Sequence, residues 1–313
     1  MELIRDDIDL TEYMTEQVAE HRVISAADWT EDVIKHFHEH DITPKVFMPW
    51  LRTHQDFNLR PGEVTLWGGI NGHGKSQIVG QVVLELAKQG QRIALASLEM
   101  RPAASMARMA RQAYGADIPP RDYLRKFGAW TDEKLWVYDH VGSVRADVML
   151  AVIRYSVDKF AVQHFVVDNL MKCGMGEDDY NGQKSFVDGL CTIAKDTGCH
   201  IHLVLHVKKG KDEFAMPTKF DIKGSGAVTD LVDNCFIVWR NKKKEIDARS
   251  GADFSPDEPD AMLMLVKQRH GEGHEGEYRL YFDRPSLQYA EYHTGIATHF
   301  RAEIGVCAHE IDF

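Results

Sequence analysis

Apolar and polar positions follow two different periods along this chain, and the switches between them mark out its elements. Short apolar runs of strand length recur at Val64 to Trp67, Arg92 to Ser97, Leu135 to Tyr138, His164 to Val167, His200 to Leu205, Cys235 to Trp239, Met262 to Val266 and Tyr278 to Phe282. Between the early runs the spacing turns helical, at Ile78, Val82 and Leu86 up to Gly90, and again near residues 101–114, 145–160 and 180–197. Strand and helix in alternation predict right-handed crossovers on a mostly parallel sheet. The later runs follow one another too closely for helices, which predicts an antiparallel extension.

The ends of the chain read differently. Two polar, amphipathic helical patterns cover Leu10 to His21 and Ala26 to His40, with Tyr13 and Val18 on the first and Trp29, Val33, Ile34 and Phe37 on the second. These are too few to form a core, so both are expected to pack on something else. A connector punctuated by Pro44, Pro49 and Pro61 follows, and the stretch from Thr294 to Phe313 carries no signal. The expected division is an N-terminal helical linker or oligomerisation segment over 1–50, the α/β domain over 51–293 and a tail over 294–313.

The first strand runs into Gly69-Ile70-Asn71-Gly72-His73-Gly74-Lys75-Ser76, a complete G-x-x-x-x-G-K-S phosphate loop that opens the first helix. Backbone amides freed by the glycines cradle phosphate oxygens, the helix N-terminus adds its dipole, Lys75 neutralises the β- and γ-phosphates, and the Ser76 hydroxyl binds Mg²⁺. Strand, loop and helix in that order predict a chain that binds ATP or another nucleoside triphosphate.

Ligands bind beyond the carboxyl ends of strands in open α/β sheets, so the polar residues there carry the next inferences. Asp168 closes an apolar strand in the manner of a Walker B acid and is expected beside Ser76 at the Mg²⁺. Glu99 follows the second strand, where a carboxylate polarises attacking water; the alternative is a helix N-terminal acid before Pro102. His206 ends another strand and is placed to touch the γ-phosphate, although a strand-end histidine is also an ordinary satisfied polar group.

Charge narrows the partners. A net charge of −11 excludes a protein that coats nucleic acid with its whole surface, yet local basic runs at Lys208-Lys209-Gly210-Lys211 and Arg240 to Lys244 leave room for a basic channel or, equally, for solvated loops. Five scattered cysteines without C-x-x-C spacing read as reduced thiols, and His36, His38 and His40 do not share one helical face as a metal site requires. No long apolar run exists and the N-terminus is acidic, so a cytoplasmic protein away from membranes is expected.

Six blocks together resemble the helicase domain of the hexameric replicative DNA helicases, the DnaB-like and Twinkle-like group that includes phage primase-helicases. They are Gly68 to Ser76, Ser97-Leu98-Glu99-Met100, Val166 to Leu170, His206 with its lysines, Asp221 to Gly226, and Lys267-Gln268-Arg269, in matching order over roughly residues 45–290. The resemblance implies a RecA-like P-loop NTPase core and a ring, most commonly a homo-hexamer, that moves on single-stranded DNA in the 5′–3′ sense. It implies Glu99 as catalytic carboxylate, Asp168 as Walker B acid and His206 as γ-phosphate sensor. Lys223, Gly224, Ser225 and Gly226 match the loop that holds the sugar-phosphate backbone, with Lys208, Lys209 and Lys211 as a second contact. Arg269, with Lys267 beside it, matches an arginine finger supplied to the neighbouring subunit. Priming is not implied, since no primase domain, zinc module or full DnaB-type N-terminal domain is recognisable; a separate primase and polymerase are the expected partners. The alternatives are a RecA- or RadA-like DNA-binding ATPase that does not unwind, and a nucleotide-controlled helicase loader.

Overall fold

The computed structural model describes residues 3–5, 7–14, 25–38, 44–176, 178–207, 214–222, 226–251, 255–270, 273–294, 300 and 304. Its strands are β1 (Leu3–Ile4), β2 (Val64–Gly69), β3 (Ile93–Ser97), β4 (Leu135–Tyr138), β5 (His164–Asp168), β6 (His200–His206), β7 (Asn234–Arg240), β8 (Ala261–Gln268), β9 (Gly276–Asp283) and β10 (Gln288–Ala290). Its helices are α1 (Thr11–Met14), α2 (Thr30–His38), α3 (Lys75–Lys88), α4 (Pro102–Tyr114), α5 (Arg121–Thr131), α6 (Ala146–Phe160), α7 (Tyr180–Thr197), α8 (Gly226–Leu231) and α9 (Lys242–Ser250).

One sheet holds all these strands in the order β1-β4-β3-β5-β6-β2-β7-β8-β9-β10. Pairing is parallel from β1 to β7 and antiparallel from β7 to β10, as the spacing of the late apolar runs predicts. The central strands are buried on both faces, which is why they read as continuous apolar runs. Neighbouring positions serve opposite layers. Leu66, Val167 and Leu203 meet α6 and α7, whereas Trp67, Val166 and Val204 meet α3, α4 and α5. Each such fully buried side chain contributes about 1.5–3 kcal/mol relative to exposure.

Register sets the functional edge. Gly69 lies opposite His206 on one side and Val238 on the other, and Ser97 lies opposite Asp168. The carboxyl ends of β2, β3, β5 and β6 therefore gather the predicted polar residues along one rim.

Several local expectations change. Residues at the N-terminus join the domain: β1 extends the sheet beside β4, and α1 docks on α6 through Tyr13, whose hydroxyl donates to Asp158 Oδ2 at 2.6 Å. By contrast α2 exposes Val33, Ile34 and Phe37, and the 3-10 turn before it exposes Trp29. The basic run from Arg240 closes β7 and opens α9, so it is not a loop: the Asn241 side chain accepts from the Lys244 N–H, and Lys244 is buried with its ammonium 2.9 Å from Asp260 Oδ1. Cys173, Cys191, Cys199 and Cys235 are buried free thiols. No described helix is long and apolar enough to cross a membrane.

Candidate nucleotide-binding site

The loop from Gly69 to Ser76 leaves β2 at the rim and closes into the first turn of α3, whose orphan amides face its concavity. Two of its glycines are sterically required. A Cβ on Gly69 would stand 2.7 Å from the Val238 carbonyl oxygen, and one on Gly74, which adopts φ 86°, would stand 2.3 Å from the Tyr289 hydroxyl. The Lys75 side chain curls back over the loop, its Nζ donating to the Gly69 and Ile70 carbonyls at 2.9 and 3.0 Å. Burial pushes its pKa down to about 8 while Asp168 and Glu99 pull it upward, so the ammonium is still protonated at neutral pH. A buried cation held by carbonyl dipoles in a cup of amides fits a polyanion.

Neighbouring elements fix the loop from outside. His73 is fully buried, and its Nδ1 accepts from the Arg240 N–H at 3.1 Å. Burial, with Lys242, Lys75 and Arg240 adding to it, pushes the ring down to about 4, so it is neutral with its proton on Nε2. Arg240 pairs with Glu245 and reaches the Gly72 carbonyl. Behind this clamp an open cleft of about 410 Å³ runs between α9 and the β9–β10 hairpin, lined by Lys244, Arg249, Tyr281, Arg284, Tyr292 and His293.

Asp168 accepts a hydrogen bond from the Ser76 hydroxyl; burial raises its pKa, that bond opposes the rise, and the Glu99 charge adds to it. Ser76 and Asp168 thus offer adjacent hard oxygens, the ligand type Mg²⁺ takes, but only two of them, so nucleotide phosphates and water would complete the shell. Among the described residues no cluster of three or more His, Cys, Asp or Glu could hold a metal unaided.

Glu99 is not left to the α4 terminus. The buried Asn169 amide donates from Nδ2 to Glu99 Oε1 at 2.8 Å and to His206 Nε2 at 3.1 Å, joining carboxylate, amide and imidazole in one row along the rim. Sequence reasoning gives Asn169 no role; its signal is a polar residue directly behind a strand-ending Asp. Arg108 also goes unforeseen. It lies on the inner side of α4 beside Ser105 and Met109, and with Ser76, Ser97 and Asp168 it lines a cavity of about 30 Å³.

Lys267 and Arg269 are elsewhere. Gln268 pairs with Asn234 at the start of β7, whereas Gly69 pairs with Val238 near its end. At about 3.3 Å per residue, the step from Asn234 to Val238 puts Gln268, between the two, about 13 Å along the strands from Gly69, toward the opposite rim. Lys267 Nζ donates to the carbonyls of Thr229, Asp230 and Val232 at 2.7–2.9 Å, and Arg269 Nη1 meets the buried Asp233 at 3.1 Å.

Lys208, Lys209, Lys211, Lys223, Gly224 and Ser225 lie outside the described residues, while Gly226 begins α8. Their flanks are described. Val207 and Ile222 form an antiparallel bridge, the Val207 N–H donates to the Gly69 carbonyl at 3.1 Å, and Ile222 lies over Gly68. The described residues that flank the two basic segments, Val207 and Ile222, therefore sit at the root of the phosphate loop.

A family model described as an AAA domain matches residues 54–212. The Twinkle homolog protein, chloroplastic/mitochondrial, of Arabidopsis thaliana is 22% identical over 226 residues, 66% of this chain and 31% of that protein, so the chain spans about a third of that relative. A solved structure described as an ATPase domain superposes with a TM-score of 0.68 at 15% identity, covering 86% of this chain and 99% of that one. A DnaB-like replicative helicase, whose structure was solved with its interactions with primase, superposes with a TM-score of 0.67 at 14% identity, covering 86% of this chain and 67% of that one. The fold is thus the RecA-like ATPase fold of DnaB helicases, a mostly parallel sheet between helices.

Proposed function

The chain belongs to the AAA-domain family, and on that premise we propose that it is an ATP-driven, ring-forming motor on single-stranded DNA, a replicative helicase of phage type. One observation carries the reading: the Gly69 to Ser76 loop, the Ser76–Asp168 pair and the Glu99–Asn169–His206 row share one rim, while Lys267 and Arg269 stand at the opposite end of the sheet. A site complete except for a charge held on a far surface is one that a neighbouring copy completes.

The loop and Lys75 hold the β- and γ-phosphates, and the cleft beside α9 is large enough for the nucleoside. Ser76 and Asp168 would hold Mg²⁺, which would supply charge neutralisation at the phosphates. Glu99, aimed by Asn169, takes a proton from the attacking water as its oxygen bonds the γ-phosphorus and the bond to the leaving diphosphate breaks. His206 senses the γ-phosphate, and through Val207 its position bears on the basic segments that grip the strand. Arg269 of the adjacent copy stabilises the transition state. The exposed apolar face of α2 supports contact with the next subunit in a homo-hexamer, and a 5′–3′ sense with separate primase and polymerase partners follows from the same resemblance.

Mixed rings test this. Arg269→Ala subunits bind ATP but deprive their neighbour of its finger, a loss of about 10³–10⁵ in turnover when fully engaged, whereas Glu99→Gln subunits keep the finger and lack the base. Mixing the two preparations under subunit exchange restores ATPase at interfaces that pair an intact Glu99 with an intact Arg269. A mixture no more active than its components, with exchange demonstrated, removes the trans mechanism. Absence of rings and of forked-duplex unwinding removes the helicase.

A further inference from the structure

Asp233 lies between α8 and β7 with its side chain 3% exposed, and its two oxygens serve different elements. Oδ2 accepts from the Val64 N–H at 2.9 Å, and Oδ1 meets Arg269 Nη1 at 3.1 Å. The Asp233 carbonyl accepts from the Arg269 N–H at 2.8 Å, and Arg269 Nη2 donates to the Asp230 carbonyl in α8. His270 Nε2 stands 3.7 Å from the same Oδ1, on the exposed side.

Satisfying one backbone N–H needs no charge. An amide or hydroxyl would accept from Val64 and would cost less to bury. What a carboxylate adds is a fixed charged acceptor for Arg269, whose planar fork it holds by one nitrogen while the Asp230 carbonyl holds the other. The Arg269 side chain is nevertheless 37% exposed, so a guanidinium with donors to spare keeps part of its edge outside the subunit. An unsupported arginine loses rotamer freedom each time it enters a neighbouring site, and one already fixed has less to lose. The mount also reaches the subunit's own nucleotide site. Val64 opens β2, buried along its whole length, and Gly69 closes it as the first residue of the phosphate loop.

We propose that Asp233 is a positioning residue that holds Arg269 in place for the γ-phosphate bound by the neighbouring copy; the proposal rests on the trans reading of Arg269 above. Asp233 touches no nucleotide and acts only through the arginine. Its loss is therefore felt in the site next door and not in its own.

Subunit mixing with the full chain tests this. Asp233→Asn can keep the bond from Val64 through its amide oxygen but turns an NH₂ toward Arg269, donor against donor. Its rings are expected to assemble and bind ATP as the parent does, with kcat lowered about 10- to 100-fold, the cost of a small misplacement. Activity returns on mixing with Glu99→Gln subunits, which offer a well-held Arg269 to the intact Glu99 of their Asp233→Asn neighbours. It does not rise on mixing with Arg269→Ala subunits, which offer none. A merely structural carboxylate would damage its own site and would not follow this pattern. Parental kcat in Asp233→Asn, or a defect that Glu99→Gln subunits fail to rescue while they do rescue Arg269→Ala, overturns the proposal and leaves the finger in place. If Glu99→Gln and Arg269→Ala subunits themselves do not complement, with exchange demonstrated, the trans reading falls and the role of Asp233 with it. Asp233→Ser, which removes the charge and leaves room for water at Val64, replaces Asp233→Asn if that variant unfolds. Failure of both to form rings overturns the proposal as well, by assigning Asp233 to the fold.

Discussion

Three buried histidines make the stability of this domain acid-sensitive in a way that can be worked out proton by proton. His164 on β5 pairs in register with His200 on β6, and His202 lies two residues on, with ring centroids 4.7–5.5 Å apart. The Trp67 Nε1–H donates to His202 Nδ1 at 3.3 Å, so His202 carries its proton on Nε2 and donates it to His164 Nδ1 at 3.2 Å. His200 donates from Nδ1 to the Arg60 carbonyl at 2.6 Å and accepts at Nε2 from the Thr65 hydroxyl at 2.9 Å. Both arrangements require neutral rings, and a second proton on His202 would set donor against donor at Trp67. Burial pushes His200 down to about 4 and His164 and His202 well below the ordinary 6.5. The unfolded chain is then the better proton acceptor, so the stability carried by the neutral rings is complete above pH 6.5 and is lost as pH falls toward 4. For His200 alone the displacement from 6.5 to about 4 corresponds to about 3 kcal/mol. Three such rings set an upper limit of about 4 kcal/mol per pH unit, with His73 adding in the same sense and the buried Glu63 and Asp168, whose pKa values are raised, opposing it. Urea unfolding between about pH 7.5 and 5.5, where most carboxylates stay ionised, reads this slope directly. The parent is expected to lose stability steeply below pH 6.5, and His164→Phe to lose it less steeply by about one proton. A flat profile, or equal slopes in parent and variant, refutes the assignment.

Binding and chemistry should separate at the rim: Lys75→Ala weakens nucleotide affinity in a titration, whereas Glu99→Gln binds nearly normally and loses about 10²–10⁴ in turnover. Asn169→Leu keeps the volume but releases Glu99 and His206; steady-state kinetics should show kcat falling about 10- to 100-fold with nucleotide affinity little changed, and an unaltered kcat would deny Asn169 its positioning role. Gly69→Ala forces a methyl against the Val238 carbonyl, so thermal unfolding should reveal a loss of about 1–3 kcal/mol together with lost nucleotide binding.

Much of this fold was legible because its signals are local. The apolar runs from Val64 to Phe282 coincide with β2 to β9, and the helical pattern over 180–197 coincides with α7. Helices α5, α8 and α9 escaped; α8 has only six residues, and the other two escaped for physical reasons. In α5 only Tyr123, Phe127 and Thr131 are buried, a stripe one residue wide with Gly128 beside it, and in α9 only Lys244 is, so a basic run conceals a helix begun by Asn241. Those cases turn on a single buried face or a single cap. The site divides along the same line. Gly69 to Ser76 and Asp168 declare themselves because their chemistry depends on neighbours in sequence, whereas Asn169 matters through Glu99 and His206, 70 and 37 residues away.

Long-range register also explains how a phosphate loop could command distant basic segments. Gly69 carries the loop and accepts from Val207, Gly68 lies under Ile222, and Val207 and Ile222 are bridged. Residues 68, 207 and 222 thus form one junction, with Lys208 and Lys223 each the next residue along the chain. A Cβ built on Gly68 would meet Ile222 Cγ1 at 3.6 Å, an ordinary contact distance, so Ile222 stands about a methyl group away from the β2 end. On the proposed reading, in which His206 senses the γ-phosphate, its loss would act on a junction next in sequence to both basic segments, and the two segments should respond to nucleotide state together.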